Sequence, residues 1–201
     1  MPERTAFWVE TRTLLVADLH LGKSETMGVA GIPIPAGVLE HQLQRLRQAI
    51  DATDAARLVI VGDLLHAPAG LTAPLVEAVS AWRRSVAAEV VVVPGNHDRK
   101  LEEVAAEWGL TVTGWEWTEG PFSFRHEPAR EAASGEYLWC GHLHPAVRLR
   151  AGGDSLKLPC FHLGVRRGVL PAFSPFTAGG PLARAMGDRV FAIADDRVIE
   201  V

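Results

Sequence analysis

Three short runs of apolar, mostly β-branched residues mark the first half of the chain. They cover residues 13–17 (TLLVA), 58–61 (LVIV) and 90–93 (VVVV). Runs that are apolar at every position, without alternation, are typical of strands buried on both faces of a parallel sheet. We therefore predict three buried parallel strands at these positions.

Two segments between these runs repeat their apolar residues every three to four positions, as an amphipathic helix does. The apolar positions of the first segment, residues 37–52, are Val38, Leu39, Leu43, Leu46 and Ile50. The second segment, from Leu75 to Val86, has the same spacing. The first half of the chain is thus predicted to run strand, helix, strand, helix, strand.

The pattern changes at about residue 111, where shorter strand candidates alternate with turn residues. The candidates are TVTGWEW, FSFRH, YLWCG, AVRLR, SLKLP, VFAIA and RVIEV. Short strands separated by turn residues are typical of β-hairpins, so we predict a second sheet in this half. Residues 130–135 (REAASG) are predicted to form an exposed loop or a short helix, and residues 174–180 to form turns.

Composition limits the class of protein. At 201 residues and 48% hydrophobic, the chain can bury one sizeable core, and we expect a single domain over residues 1–201. The net charge of −4 gives no overall basic surface, so contact with nucleic acid would need a local patch. No signal peptide or membrane span is recognisable, so we expect a cytoplasmic protein without membrane contact.

Residues with metal-ligand chemistry directly follow five predicted strands. They are Asp18 and His20, then Asp63, then Asn96, His97 and Asp98, then His126, and finally His142 and His144. In open α/β sheets, ligands bind beyond the carboxyl ends of the strands, so these side chains are expected to meet. Asp18 and His20 lie two residues apart in a chain predicted to be extended, so both should point to one side. The same holds for His142 and His144.

The ligand types narrow the choice of metal. Carboxylate, imidazole and amide groups without thiolate favour manganese, iron or zinc over a structural zinc or an iron–sulfur cluster. The two oxygens of Asp63 could bridge two ions about 3.5–4 Å apart, the spacing at which paired metals activate water and clamp a phosphoryl group. In this interpretation Asn96 coordinates a metal and His97 faces the substrate.

The ordered blocks DLH, GD, GNHD, the lone His126 and GHLH span residues 18–144 and resemble the pattern of the calcineurin-like metallophosphoesterase superfamily. The resemblance implies an α/β fold in which two mixed β-sheets pack as a sandwich flanked by α-helices. It also implies two divalent metal ions, with manganese favoured and iron or zinc as alternatives, and a hydroxide between them that attacks phosphorus.

The resemblance implies a role for each motif residue. The first ion would be held by Asp18, His20, Asp63 and His144. The second would be held by Asp63, Asn96, His126 and His142. His97 would stabilise the transition state or protonate the departing alkoxide, and Asp98 would orient or tune His97.

A narrower resemblance covers most of the chain. The blocks DLHLGK, GDLLH, HEP, GHLHPAVRL, LPCF and LPAFSPFTAGG are similar to those of the bacterial ligase-associated DNA damage response endonucleases. This resemblance implies a phosphodiesterase or nuclease that acts on nucleic acid in DNA repair, in functional association with a DNA ligase and a helicase. Two alternatives stay open: a small-molecule phosphoesterase or nucleotide pyrophosphohydrolase, and a non-catalytic scaffold of the same fold.

Further residues are candidates for substrate contact. They are Lys23, His66, Arg166 and Arg167. An ordinary solvent-exposed role is the alternative for each, and the two arginines would contact a nucleic-acid backbone. Cys140 and Cys160 are too few for a disulfide framework and are expected to be buried thiols. The scatter of the six tryptophans favours packing roles, with a base-stacking platform as the alternative.

Overall fold

The first β-sheet carries the apolar runs of the amino-terminal half. The computed structural model describes residues 1–129 and 135–201, so the loop or short helix predicted for residues 130–135 lies, except for Gly135, outside the described residues. The strands of this sheet are β1 (Ala6–Trp8), β2 (Thr13–Val16), β3 (Arg57–Val61), β4 (Glu89–Val93) and β5 (Thr111–Val112). They are ordered β1-β2-β3-β4-β5, with β2 to β5 parallel and β1 antiparallel at the edge.

The second β-sheet is built from the rest of the chain. Its strands are β6 (Glu116–Glu119), β7 (Phe122–Arg125), β8 (Tyr137–Cys140), β9 (Ala146–Ala151), β10 (Asp154–Leu163), β11 (Arg167–Val169), β12 (Arg189–Ala194) and β13 (Arg197–Glu200). They are ordered β13-β12-β10-β11-β8-β7-β6, and β9 pairs with the first half of β10. β7, β8 and β11 are parallel to one another, whereas the other pairs are antiparallel.

Four α-helices lie in the connections between strands β2 to β5 of the first sheet. They are α1 (Lys23–Val29), α2 (Val38–Thr53), α3 (Ala73–Arg84) and α4 (Leu101–Ala105). The predictions of α2 and α3 are confirmed. At the start of α3 the Thr72 hydroxyl accepts a hydrogen bond from the Leu75 amide, which satisfies one of the free amides of the first turn. No helix in the described residues has the length and apolar character needed to cross a membrane.

Two separate apolar cores explain the unbroken apolar runs. On β3, Leu58 and Ile60 pack into the core between the first sheet and the helices. The alternate residues, Val59 and Val61, pack into the core between the two sheets. Because successive side chains of a strand point to opposite faces, a strand in this position must be apolar at every residue. The α/β sandwich of two mixed sheets is therefore confirmed.

The structure corrects the predicted assignment of strands after residue 111. Thr111 and Val112 form β5, which pairs in parallel with β4 and so belongs to the first sheet. Parallel neighbours need a crossover connection, and the segment containing α4 provides it. The predicted hairpins exist as β6–β7, β9–β10 and β12–β13, but β7, β8 and β11 are parallel neighbours instead.

Candidate metal centre

The carboxyl ends of parallel strands from both sheets meet at one edge of the sandwich. The first sheet contributes the segments that follow β2, β3 and β4, and the second contributes those that follow β7 and β8. The Asp18 carboxylate, from the first sheet, accepts a hydrogen bond of 3.0 Å from the backbone amide of His142, from the second. Residues far apart in the sequence are thereby brought together.

The side chains assigned to the first ion lie within contact distance of one another. His20 Nε2 is 3.4 Å from His144 Nε2 and 3.8 Å from Asp63 Oδ2. His144 Nε2 is 3.5 Å from Asp18 Oδ1. Asp18, His20 and His144 can each offer a donor atom to one cation. This half of the centre consists of imidazole nitrogens and carboxylate oxygens that face a common point.

The side chains assigned to the second ion surround His126 Nε2. This nitrogen lies 3.0 Å from Asn96 Oδ1 and 3.1 Å from His142 Nδ1. It also lies 3.3 Å from Asp63 Oδ2. Because Asp63 Oδ2 faces both groups of side chains, the two halves of the centre share this carboxylate.

The predicted extended conformation of the two ligand pairs is wrong. Asp18 and His20 have φ angles of 55° and 49°, and His142 and His144 have 66° and 45°. Asp63 also lies in this left-handed region, with φ 46°. Residues with a Cβ rarely adopt this conformation. Each one costs about 1–3 kcal/mol and persists only where the surrounding structure enforces it. The pairs therefore converge through left-handed turns beyond the strand ends.

The charge of the centre fits bound cations. The side chains of Asp18 and Asp63 are 0% and 3% exposed, and their ion pairs in the described chain are with histidine rings. Burial lowers the pKa of His20 to about 3, so this ring is neutral at physiological pH. Burial also opposes a charge on His126, but the hydrogen bond and the charge of Asp63 raise its pKa overall. Buried carboxylates need compensating charge, and the oxygen and imidazole donors suit divalent metal ions.

Motif glycines leave the room that these side chains occupy. Gly62 has φ 81°, and a Cβ on it would overlap the ring of His126. A Cβ on Gly95 would overlap the Asp63 carboxylate. The glycines of the GD and GNHD blocks are thus required by close approach of the ligand side chains, and at Gly62 also by the backbone conformation.

His97 lies on the open side of the centre. Its Nδ1 is 2.6 Å from the carbonyl oxygen of His66, and its Nε2 is 4.0 Å from Asp63 Oδ2. The ring of His66 stacks on it at a centroid distance of 5.4 Å. The side chain of His97 is 40% exposed, so it can reach a bound substrate.

Asp98 connects two loops of the centre. Its carboxylate accepts hydrogen bonds of 2.8 Å from the backbone amides of Leu65 and Gly95. Burial raises its pKa to about 6. The described hydrogen bond of the His97 ring is with the His66 carbonyl, so Asp98 can act on His97 by holding the backbone of the two loops that carry His66 and His97.

The family model of the calcineurin-like phosphoesterases matches residues 11–175. The chain belongs to the calcineurin-like phosphoesterase family. This family falls within the hydrolases, so the chain belongs to a hydrolase class. A search among curated proteins gave no match.

Among solved structures, this calcineurin-like phosphoesterase is similar to nuclease MPE from Pseudomonas putida. The two share 32% sequence identity with a TM-score of 0.85, over 100% of this chain and 93% of that chain. The phosphoesterase YfcE from E. coli shares 17% identity with a TM-score of 0.49, over 94% of this chain and 97% of that one. AQ665 from Aquifex aeolicus, a protein of unknown function, shares 16% sequence identity with a TM-score of 0.45, over 70% of this chain and 81% of that chain.

The other predicted substrate contacts differ in position. Lys23 is the first residue of α1. Burial lowers the pKa of His66, and the charge of Lys23 lowers it further, so Lys23 lies close to this ring. Arg166 Nη2 donates to the carbonyl of Gly135 and Arg167 Nη1 to that of Ala129. Both of these hydrogen bonds go to backbone carbonyls outside the motif blocks.

Two residues beside the centre were not singled out from the sequence. Trp115 and Arg125 line a cavity of about 200 Å³ together with Asn96 and His126. The signal for Trp115 was weak, because it was one of two tryptophans in the strand candidate TVTGWEW. Only the preceding Gly114, which interrupts the strand, set it apart.

Proposed function

We propose that this calcineurin-like phosphoesterase is a dinuclear-metal-dependent phosphodiesterase that acts on nucleic acid. One observation carries the proposal: Asp63 Oδ2 lies 3.8 Å from His20 Nε2 and 3.3 Å from His126 Nε2. A carboxylate shared by two groups of imidazole and oxygen donors is the arrangement that holds a pair of ions.

Each half of the centre would hold one ion. The residues of the first half are Asp18, His20, Asp63 and His144, and those of the second are Asp63, Asn96, His126 and His142. Divalent ions, manganese in the first place and iron or zinc as alternatives, would supply an activated water and neutralise the non-bridging phosphate oxygens.

His97 is the proposed acid or transition-state donor. Its Nδ1–H donates to the His66 carbonyl, which fixes the orientation of the ring and leaves Nε2 on the open side. When Nε2 is also protonated, it can donate a hydrogen bond to the phosphate or a proton to the leaving alkoxide. Asp98 supports this arrangement by holding the loops that carry the two histidines.

A nucleic-acid substrate is supported by the similarity to the P. putida nuclease. The narrower motif resemblance supports a role in DNA repair with a DNA ligase and a helicase as functional associates. Lys23, His66, Arg166 and Arg167 belong to the proposal as substrate contacts, as do the cytoplasmic location and the single domain.

The test is a comparison of substrates across a metal series. Purified protein loaded with manganese, iron or zinc is assayed on oligonucleotides, on mono- and diester model compounds, and on small nucleotides. We expect metal-dependent cleavage of oligonucleotides and a preference for the diester. Hydrolysis confined to small nucleotides would instead assign a small-molecule phosphoesterase, and no hydrolysis with any metal would assign a scaffold.

The variant His97→Ala separates catalysis from metal binding. We expect kcat to fall by about 10²–10⁴-fold, because a positioned proton donor contributes this much, while the metal content measured by mass spectrometry stays unchanged. His41→Ala, an exposed histidine on α2, is the matched control and should keep full activity. Loss of metal from His97→Ala would show that His97 is a ligand instead.

A further inference from the structure

The loop that carries Trp115 is anchored to the first sheet beside the metal centre. Trp115 lies between β5 and β6, in a loop fixed by Thr113, whose backbone amide donates a 2.9 Å hydrogen bond to the Val92 carbonyl. The Thr113 hydroxyl lies 2.9 Å from the Gly114 carbonyl and donates to it. Val92 belongs to β4, the strand that leads to Asn96. The backbone two residues before Trp115 is therefore anchored to the strand that leads to a proposed metal ligand.

The environment of Trp115 differs from that of the other tryptophans. Trp108 is fully buried, Trp8 packs edge-on against Phe122 and Trp117 stacks on Phe124. Trp115 is 68% exposed. Within residues 1–129 and 135–201, no aromatic ring or guanidinium stacks on its indole. Its aromatic face is available to a ligand.

The indole stands between two recesses that both reach the metal centre. The first, of about 200 Å³, is also lined by Asn96, His126 and Arg125. The second, of about 420 Å³, is also lined by Asn96 and by Arg99. Acidic side chains line both recesses as well, Glu127 in the first and Asp98 and Glu102 in the second, so charge alone does not define the ligand. A ligand with a flat aromatic ring and an attached phosphate could stack its ring on the indole and place its phosphate at the metal centre.

We infer that Trp115 forms a nucleobase-binding subsite, in which an unstacked base lies on the indole while the adjoining phosphodiester lies at Asn96 and His97. The inference rests on the proposed function, because it takes nucleic acid as the substrate. Stacking of a base on an aromatic side chain is tolerant of sequence, since every base has an aromatic face. Arg125, whose Nη1 is 3.9 Å from Glu116 Oε2, lies where it can contact a neighbouring phosphate.

The test combines a change in the protein with a change in the substrate. Metal-loaded wild type, Trp115→Ala and Trp115→Phe are assayed on a single-stranded oligonucleotide and on a series that lacks one base at successive positions around the cleavage point. We expect Trp115→Ala to lower kcat/KM about 10- to 100-fold on the intact strand, as loss of one stacked base does. Trp115→Phe keeps an aromatic face and should stay within about threefold of wild type.

One abasic position should lower the wild-type rate as much as Trp115→Ala does, with no further loss when both changes are combined. Met186→Ala, which changes a fully exposed side chain in another part of the chain, is the control and should match wild type. Unchanged cleavage by Trp115→Ala, or losses that simply multiply, would overturn the subsite while the nuclease assignment stands. Absence of oligonucleotide cleavage by the wild type would overturn both.

Discussion

Gly62 shows at the scale of one residue how closely the centre is packed. It precedes Asp63 in the GD block, has φ 81° and lies against the ring of His126. Two separate requirements therefore act on one position: a left-handed backbone and the absence of a side chain. The effects of these two requirements can be separated by substitution, because Gly31 has only the left-handed backbone and Gly28 has neither feature.

We predict that Gly62→Ala weakens metal binding at least about tenfold, because the new Cβ displaces His126, and also destabilises the fold by about 1 kcal/mol or more. Titration calorimetry with manganese and urea denaturation measure the two effects. Gly31→Ala, at φ 76° with no atom within 4 Å of the added Cβ, should show the stability loss without the loss of metal. Gly28→Ala, in α1 with open space around it, should show neither. Equal metal affinity in Gly62→Ala would contradict the packing argument.

The two cysteines are buried thiols, as predicted. Burial raises the pKa of Cys140 to about 12 and that of Cys160 to about 11. Because both values lie above the pKa of about 8.5 for an unfolded chain, the thiols stabilise the fold fully below that pH. This contribution is lost as the pH rises through about 11 for Cys160 and about 12 for Cys140.

We predict that neither thiol reacts with Ellman's reagent at pH 8 in the folded protein and that both react in urea. The urea midpoint should fall between about pH 9 and pH 11, and the fall should be smaller in Cys160→Ala. Rapid reaction of either thiol in the folded protein would show an ionised, accessible cysteine and contradict the assignment.

At the scale of elements, β7 joins the inter-sheet core to the metal centre. Phe124 is fully buried between the sheets and stacks on Trp117 at 5.2 Å. Two residues later, the same strand leads to His126. Packing of the strand and placement of the ligand are therefore coupled.

We predict that Phe124→Ala lowers the free energy of unfolding by about 3–5 kcal/mol, because it leaves a cavity between the sheets. Phe124→Leu, which keeps most of the volume, should cost about 1 kcal/mol. Val198→Ala, on the exposed strand β13 of the same sheet, should change it by less than about 0.5 kcal/mol. Urea denaturation measures all three. A loss in Phe124→Ala no larger than in Val198→Ala would show that this core does not hold the sheets together.

At the scale of the whole molecule, the metal centre links the two sheets at one edge. Each proposed ion is surrounded by residues from both of them, and Asp18 accepts the His142 amide across the junction. Asp18 and Asp63 are both buried, and a carboxylate oxygen of each lies within 4.8 Å of the other and of a ring nitrogen of His126. Metal binding should therefore stabilise the sandwich as a unit.

We predict that manganese at about 100 times its dissociation constant stabilises the protein by about 2.7 kcal/mol. This raises the melting temperature by about 5–10 °C for a chain of this size. Asp18→Asn keeps an acceptor for the His142 amide but removes one buried charge, so the metal-free variant should be at least as stable as wild type while the rise with manganese is lost. Asp51→Asn, on the exposed face of α2, should keep the full rise. Differential scanning calorimetry decides between them, and a full rise in Asp18→Asn would contradict its role as a ligand.

The sequence by itself determined the features that depend on neighbouring residues. The apolar runs before Asp18, Asp63 and Asn96 predicted β2, β3 and β4, because burial on both faces requires an apolar residue at every position. Periodicity predicted α2 and α3 for the same local reason. The order of the motif blocks predicted which polar side chains would gather beyond the strand ends.

Only the tertiary structure decided the features that depend on residues distant in the chain. It assigned β5 to the first sheet, made β7 and β8 parallel, and bent Asp18 and His20 into left-handed turns. It also left Trp115 exposed beside the centre. Strand pairing, strained backbone and exposure follow from packing between segments that no local pattern records, because their free energy comes from contacts made only after the chain has folded.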